Sequence, residues 1–386
     1  MSSSNQSLIL INKGTFTMNK ISIYAITKNE SKFVERWYNS MKEADEIVVL
    51  DTGSTDDTVE KLRALGVKVE VKIIEPWDFA VARNEAMKLV SSDCNILVST
   101  DLDEIFEPGW AKVLRDKWNP EVHTRAQYKY VWSHLENDEP GRVFRYNKIH
   151  DWNWIWKYPV HELLYNPTTK SENYNSANEL YLFDDVILHH FPDKTKSRGS
   201  YLGLLEKRER DYPDDLYGLI YLCHEYKYRG FYQKSIDKLN KVLTQYSAEL
   251  RPVEKASCYL FMGDDYYELK QYREAEHAYL RAIETEPTYR EPYLGLANVY
   301  LKLQDYELAI YYVKQGLKKS FRHWTWLERD ISWTYEPYDL LSLAYYYNGD
   351  KVTSLGYAYL AATYDTSNAR LKNNIDIIAN VLRKEK

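Results

Sequence analysis

Cysteine is scarce. The 386 residues hold three, Cys94, Cys223 and Cys258, with no CxxC pair among them. So small and odd a set argues against a disulfide framework or a cysteine zinc site. It suits a reducing compartment, and the cytoplasm is the expected setting. Long apolar runs are missing too: none approaches the ~18–20 residues of a membrane span. The opening MSSSNQSLILINKGTFT has only a short apolar stretch and no charged segment before it, which does not fit a secretory signal. Residues 1–18 are expected to form an N-terminal tail. An excess of one charge is also lacking. Lys and Arg number 51 against 57 Asp and Glu, a net charge of −6. That disfavours a general binder of nucleic acid or anionic membrane.

What is present is ordinary globular composition, 44% hydrophobic and 28% charged, which excludes a disordered or fibrous chain. The length suggests two or three domains. Aromatics are abundant, with 36 Tyr and 11 Trp. Such rings suit both a helical-repeat core and a sugar-contacting surface, and composition does not separate the two.

Residues 19–105 alternate strand and helix signals. Ile21–Thr27, Ile47–Leu50, Val67–Ile74 and Ile96–Val98 read as strands; Ser31–Ala44, Asp56–Leu65 and Ala80–Val90 read as helices. Gly53, Ser54 and Thr55 form the turn before the second helix and supply capping oxygens. Continuous apolar strands between helices imply a parallel sheet covered on both faces. Ligands of such sheets bind at the carboxyl ends of the strands. Residues 106–195 lose the rhythm and gather aromatics: Trp132, Phe144, Tyr146, Trp152, Trp154, Trp156 and Tyr158, with His150, His161, His189 and His190 among or after them.

From about residue 198 the chain is helical and repeats itself. Met262 and Leu296, Gly263 and Ala297, Tyr266 and Tyr300, Ala275 and Ala309, and Ala282 and Gly316 share one spacing, the 34-residue period of tetratricopeptide units. About four units are expected, with insertions near 250 and at 318–336. Residues 321–336, FRHWTWLERDISWTYE, carry three Trp that the repeat does not require. They are the expected contact surface for a partner.

Three polar groups follow three expected strands: Asn29-Glu30, Asp51-Thr-Gly-Ser-Thr-Asp-Asp-Thr58, and Asp101-Leu-Asp103. In an extended segment residues i and i+2 point the same way, so Asp101 and Asp103 would face one cleft. Paired hard oxygens suit Mg2+ or Mn2+ with positions left for phosphates. A helix cap at Asp103 or Glu104 is the plainer explanation. Trp152, Trp154 and Trp156 alternate; they serve either a pyranose face or the core.

The blocks YAITKNE, EIVVLDTGSTDDT, WDFAVARNEAM and ILVSTDLDE resemble family 2 glycosyltransferases of the GT-A fold, in order and spacing, over residues 19–195. With VHE at 160–162, HHFPD at 189–193 and the repeats, the chain resembles the bacterial and phage branch that joins this domain to tetratricopeptide repeats and includes peptide S-glycosyltransferases. It departs from the common DDGS form, having Asp51-Thr52-Gly53-Ser54. The resemblance implies that Asp51 accepts from the nucleotide base, Arg83 contacts the sugar-nucleotide, Asp101 the ribose or sugar, and Asp103 the metal. Arg83 pairing with Asp78 or Glu85 is the competing reading. Glu30 would support the nucleotide site or cap the following helix. His190 would complete the metal shell, with His189 as the alternative. Inverting transfer needs a base for the acceptor proton. Glu162 is the candidate, with Asp151 and Asp184 competing and a strand-edge salt bridge as the plainer reading of Glu162; His161 and Trp154 would contact acceptor or sugar.

The expected architecture is an α/β GT-A domain, Rossmann-like with a mostly parallel sheet, at 19–195, then an all-α tetratricopeptide-repeat domain at 196–386. The expected activity is inverting transfer of a hexose from a nucleotide-diphosphate sugar, UDP-sugar by default, to a protein, peptide or glycan, with Mn2+ or Mg2+. The alternative is a repeat-based protein-binding scaffold with an inactive transferase-like domain. Nucleotidyl transfer lacks a glycine-rich basic phosphate loop near the first strand.

Overall fold

The computed structural model describes residues 19–134, 139–170, 172, 178–193, 199, 201–323 and 327–385. The expected tail, together with Trp324 and Trp326, lies outside the described residues. The chain divides into two compact units, Met1–Ser200 and Tyr201–Lys386.

In the first unit the order is β1 (Ile21–Thr27), α1 (Val34–Met41), β2 (Glu46–Asp51), α2 (Thr58–Ala64), β3 (Lys68–Val71), α3 (Phe79–Met87), β4 (Ile96–Thr100), β5 (Glu104–Phe106), α4 (Trp110–Lys117), β6 (Arg125–Val131), β7 (Val143–His150), β8 (Ile155–Lys157), β9 (Leu163–Tyr165) and β10 (Glu179–His190). One sheet runs β3-β2-β1-β4-β7-β6-β10-β5, and β8 and β9 form a separate hairpin. The pairs β3–β2, β2–β1, β1–β4 and β6–β10 are parallel. Strand β7 runs against both β4 and β6, and β5 against β10.

The apolar runs of β1, β2 and β4 feed both faces. Ile21, Ile23, Ala25, Val49, Ile96 and Val98 pack with Trp37 and Met41 of α1 and Trp110 and Leu114 of α4. Tyr24, Ile26, Val48, Leu50 and Leu97 pack with Ala82, Ala86 and Met87 of α3 and with Trp154, Trp156 and Leu164 from the hairpin region. Period-2 side-chain alternation therefore yields two cores, one on each side of the sheet.

The second unit comprises α5 (Tyr201–Asp211), α6 (Leu216–Tyr228), α7 (Tyr232–Gln245), α8 (Pro252–Glu268), α9 (Tyr272–Thr285), α10 (Glu291–Lys302), α11 (Tyr306–Leu317), α12 (Glu336–Tyr347), α13 (Lys351–Tyr364) and α14 (Ala369–Lys384). The pairs α6–α7, α8–α9, α10–α11 and α12–α13 are the expected repeat units. The Tyr279 ring of α9 explains the small repeat position at Gly263, and also a second glycine, Gly295. A Cβ added at Gly263 or Gly295 would come within 2.6 or 2.5 Å of that ring. Part of the 318–336 insertion packs on the array, while Phe321 and Ile331 stay exposed. Arg329 pairs with Asp264 of α8. The Trp333 indole N–H donates to Glu291 of α10 at 3.3 Å, and Leu327 is buried. The described part of the insertion is thus held by the array itself. All three cysteines are buried and free, and no helix of the described residues is long and apolar enough to cross a membrane.

Candidate active site

Because β7 reverses direction between β4 and β6, strands β1, β2, β4, β6 and β10 all run the same way. Their carboxyl ends share one edge. Most of the expected site residues sit there.

At the end of β2 the Asp51 carboxylate closes its own loop. Oδ1 accepts from the backbone N–H of Gly53 at 2.9 Å and of Ser54 at 2.8 Å; Oδ2 accepts from the Ser54 hydroxyl. Gly53 has φ +105°, and a Cβ there would lie 2.5 Å from Ile73 Cδ1, so the turn demands glycine. Thr52, standing where a second carboxylate is common, donates its hydroxyl to the Thr27 carbonyl of β1 at 3.0 Å. Neither Ser54 nor Thr55 caps α2 as expected; Asp56 accepts from the Thr58 N–H instead. Glu30 accepts from the Thr27 hydroxyl at 3.2 Å, and its N–H donates to Thr58. It braces the β1 and β2 loops, and its side chain does not cap α1, whose N-cap is Phe33.

After β4 the chain turns at once, the Glu104 N–H donating to the Asp101 carbonyl at 3.1 Å. Asp101 and Asp103 are therefore not alternate residues of an extended segment, and their carboxylates meet different partners. Asp101 is gripped by Arg83 Nη2 at 2.9 Å and Lys148 Nζ at 3.0 Å. Arg83 also donates through Nε to Glu162 at 2.6 Å and through Nη1 to Ser99 at 3.1 Å. It does not pair with Asp78, which caps α3, or with Glu85, which pairs with Lys72 and Lys88. Burial opposes the Arg83 charge, but Asp101 and Glu162 outweigh it and its pKa rises. Burial would raise Asp101 as well; Arg83 and Lys148 instead hold it well below the usual carboxylate range. Glu104, buried beneath, accepts from the Asp101 N–H at 2.9 Å, the Tyr130 hydroxyl at 2.8 Å and Lys148 at 3.0 Å. Burial pushes its pKa up.

Asp103 meets the expected histidine. His190 Nε2 lies 3.4 Å from Asp103 Oδ2, while His189 turns to Glu107 at 2.9 Å. Successive residues of β10 point to opposite faces, which separates the two histidines. Burial disfavours charge on His190, but Asp103 overrides it and its pKa is raised. Among the described residues no group of three or more metal-binding side chains gathers. A carboxylate and an imidazole in contact fit a divalent cation that draws its other ligands from phosphate and water. Trp132 follows β6; its ring lies 4.7 Å from that of His190, and 37% of it is exposed.

Four expected residues fall elsewhere: Asp151, Trp154, Trp156 and Asp184. Asp151 follows His150, which pairs with Leu97 near the start of β4. It lies at the opposite end of the strands and caps its own turn, accepting from the Asn153 N–H at 2.9 Å. Trp154 is 3% exposed and packs under Arg125, 4.3 Å from ring centroid to guanidinium, so it is core and meets no sugar. Trp156 is core also, its indole N–H donating to the Tyr24 hydroxyl at 2.6 Å. Asp184 is exposed in the bulge of β10, short of the edge. His161 is exposed, with φ +48°, beside Glu162.

Residues 22–180 match the family described as glycosyl transferase family 2. This stretch of the N-terminal unit is similar to that family. Residues 263–304 match the TPR repeat, so the stretch similar to family 2 glycosyltransferases is followed by tetratricopeptide repeats. A glycosyltransferase of Rickettsia bellii is 30% identical over 184 residues, 44% of this chain and 60% of that one. The prophage-derived glycosyltransferase SunS of Bacillus subtilis is 29% identical over 188 residues, 42% of this chain and 44% of its own. A TPR repeat-containing protein of Synechococcus elongatus is 24% identical over 211 residues, 52% and 50% of the two chains. The matches span 60–62% of the length of the first rickettsial relatives.

Lys148, Glu104 and Trp132 complete this edge of the sheet; the sequence pattern points to Glu104 only as a helix cap, which it is not, the N-cap of α4 being Gly109, and to no role for Lys148 or Trp132. The one available signal for Lys148 was a lone cation inside an otherwise strand-like run, NKIH, which does not by itself place it against Asp101.

Proposed function

We propose that this protein is an inverting glycosyltransferase, moving a hexose from a nucleotide-diphosphate sugar, a UDP-sugar by preference, to a protein, peptide or glycan acceptor in the cytoplasm. The observation that carries the reading is the contact of Asp103 with His190, at the edge where Asp51 and Asp101 also stand. Asp51 holds the loop against which the base lies. Asp101, fixed by Arg83 and Lys148, presents its accessible side to the ribose. Asp103 and His190 would hold Mn2+ or Mg2+, which when bound offsets charge on the departing diphosphate.

Glu162 is the candidate base. Its Oε1 is engaged by Arg83, which fixes the orientation of the carboxylate towards the edge, and its second oxygen would take the acceptor proton. His161, beside it on the exposed side, would contact the acceptor. The repeats offer an extended surface for a protein or peptide acceptor. The test is a panel of nucleotide sugars incubated with Mn2+, with mass-spectrometric detection of the released nucleoside diphosphate and of any glycosylated product. Release from at least one donor supports the reading. No release, with no nucleotide binding, would favour the inactive scaffold.

A further inference from the structure

We propose that Trp132 is the platform on which the donor's pyranose ring stacks, and that it thereby determines which sugars are accepted. This inference rests on the nucleotide-sugar reading above. Trp132 stands immediately past the carboxyl end of β6, next to β10 in the sheet. Its N–H donates to the Arg142 carbonyl at 2.8 Å, and its own carbonyl accepts from His190 Nδ1 at 3.2 Å. The backbone is thus tied to β7 on one side and to the Asp103–His190 pair on the other. The ring is backed by a layer of aromatics: Phe144 at 6.3 Å and Tyr130 at 6.2 Å between centroids. Tyr130 is 3% exposed, whereas Trp132 keeps 37% of its surface open.

A large, firmly held indole left open beside carboxylates and an imidazole needs a ligand that is apolar on one face and polar around its rim. A pyranose has that character: its C–H face covers the ring while its hydroxyls reach the polar groups. The order of side chains along the edge selects the donor's sugar. Asp51 is on β2, Asp101 follows β4, and Asp103 meets β10. A nucleotide sugar laid base-first along that line brings its sugar, bonded to the phosphate at Asp103 and His190, onto the neighbouring indole. Trp154, the ring expected from sequence to serve this role, is sealed in the core.

The experiment measures calorimetric dissociation constants, with Mn2+, of UDP, GDP and dTDP and of their glucose esters, for the full chain, W132A and W132F. The expected result is that W132A weakens the glucose ester by about tenfold, towards the value of the matching free diphosphate. The diphosphate itself should bind W132A as it binds the unaltered chain, which also shows the variant folded. W132F should retain most of the sugar increment. Equal weakening of ester and diphosphate, or no change in either, overturns the role of Trp132 while leaving the donor reading standing. Failure of all six compounds to bind the unaltered chain overturns the donor reading, and this inference with it.

Discussion

Arg83 Nε lies 2.6 Å from Glu162 Oε1, and the same guanidinium reaches Asp101 at 2.9 Å. One buried cation therefore fixes both the carboxylate after β4 and the candidate base from the β8–β9 connection. Removing one partner of such a cluster leaves a buried charge uncompensated. R83M is expected to cost about 3–5 kcal/mol of stability and to reduce turnover at least a hundredfold. R83M/E162Q should recover part of the stability and none of the turnover. Denaturant unfolding of the single and double variants, with turnover measured alongside, checks this.

Lys148 neutralises Asp101 and Glu104 together, at 3.0 Å from each. K148M would leave the two carboxylates facing one another in a buried setting. A loss of about 3–5 kcal/mol is expected, and adding E104Q should restore much of it, because Glu104 is the more deeply buried partner. Thermal melting of the three variants measures both effects; an unchanged melting temperature for K148M would refute the bridging role.

The Asp51 loop depends on a left-handed backbone at Gly53. G53A puts a Cβ within 2.5 Å of Ile73 Cδ1 at φ +105°, an expected cost of about 1–3 kcal/mol. If the Asp51 loop holds the base as proposed, nucleotide affinity should fall with it. Calorimetric titration with the bound nucleotide tests the link.

The repeat unit carries a pH signature of its own. Burial pushes Asp265 up to about 7, opposed by Ser235 and Lys227, and pushes Glu291 up to about 7 as well. Both lie above the ordinary values of 3.8 and 4.5, so between about pH 4 and pH 7 the folded chain binds more protons than the unfolded one. Stability therefore falls as pH rises through that window and levels off above it. D265N should flatten part of the slope and gain on the order of 3 kcal/mol at pH 8. Melting curves of the repeat transition from pH 5 to pH 8 read this directly.

Much of the edge was legible because local rules sufficed. Apolar runs gave β1, β2 and β4, and the polar residues directly after them are where Asp51 and Asp101 stand. The repeat period gave the helical pairs, since Gly263 answers directly to the Tyr279 ring. The remainder depended on pairing that no local pattern encodes. Lys148 and Trp132 reach the site only because β7 reverses between β4 and β6. Asp151 leaves it for the same reason, since that reversal carries the end of β7 to the far side. The Asp101–Asp103 spacing fits an extended segment, but Glu104 accepts from the Asp101 N–H and folds it into a turn. The alternating Trp residues were ambiguous because a core and a sugar site use the same spacing.

On the proposed reading, Asp103 with His190 anchors the leaving diphosphate. The most direct measurement is the rate of nucleoside diphosphate release from the accepted donor, with Mn2+, in the unaltered chain and in D103A. Release should fall at least a hundredfold in D103A, with a melting temperature within a few degrees of the unaltered chain. Undiminished release from D103A would contradict that reading.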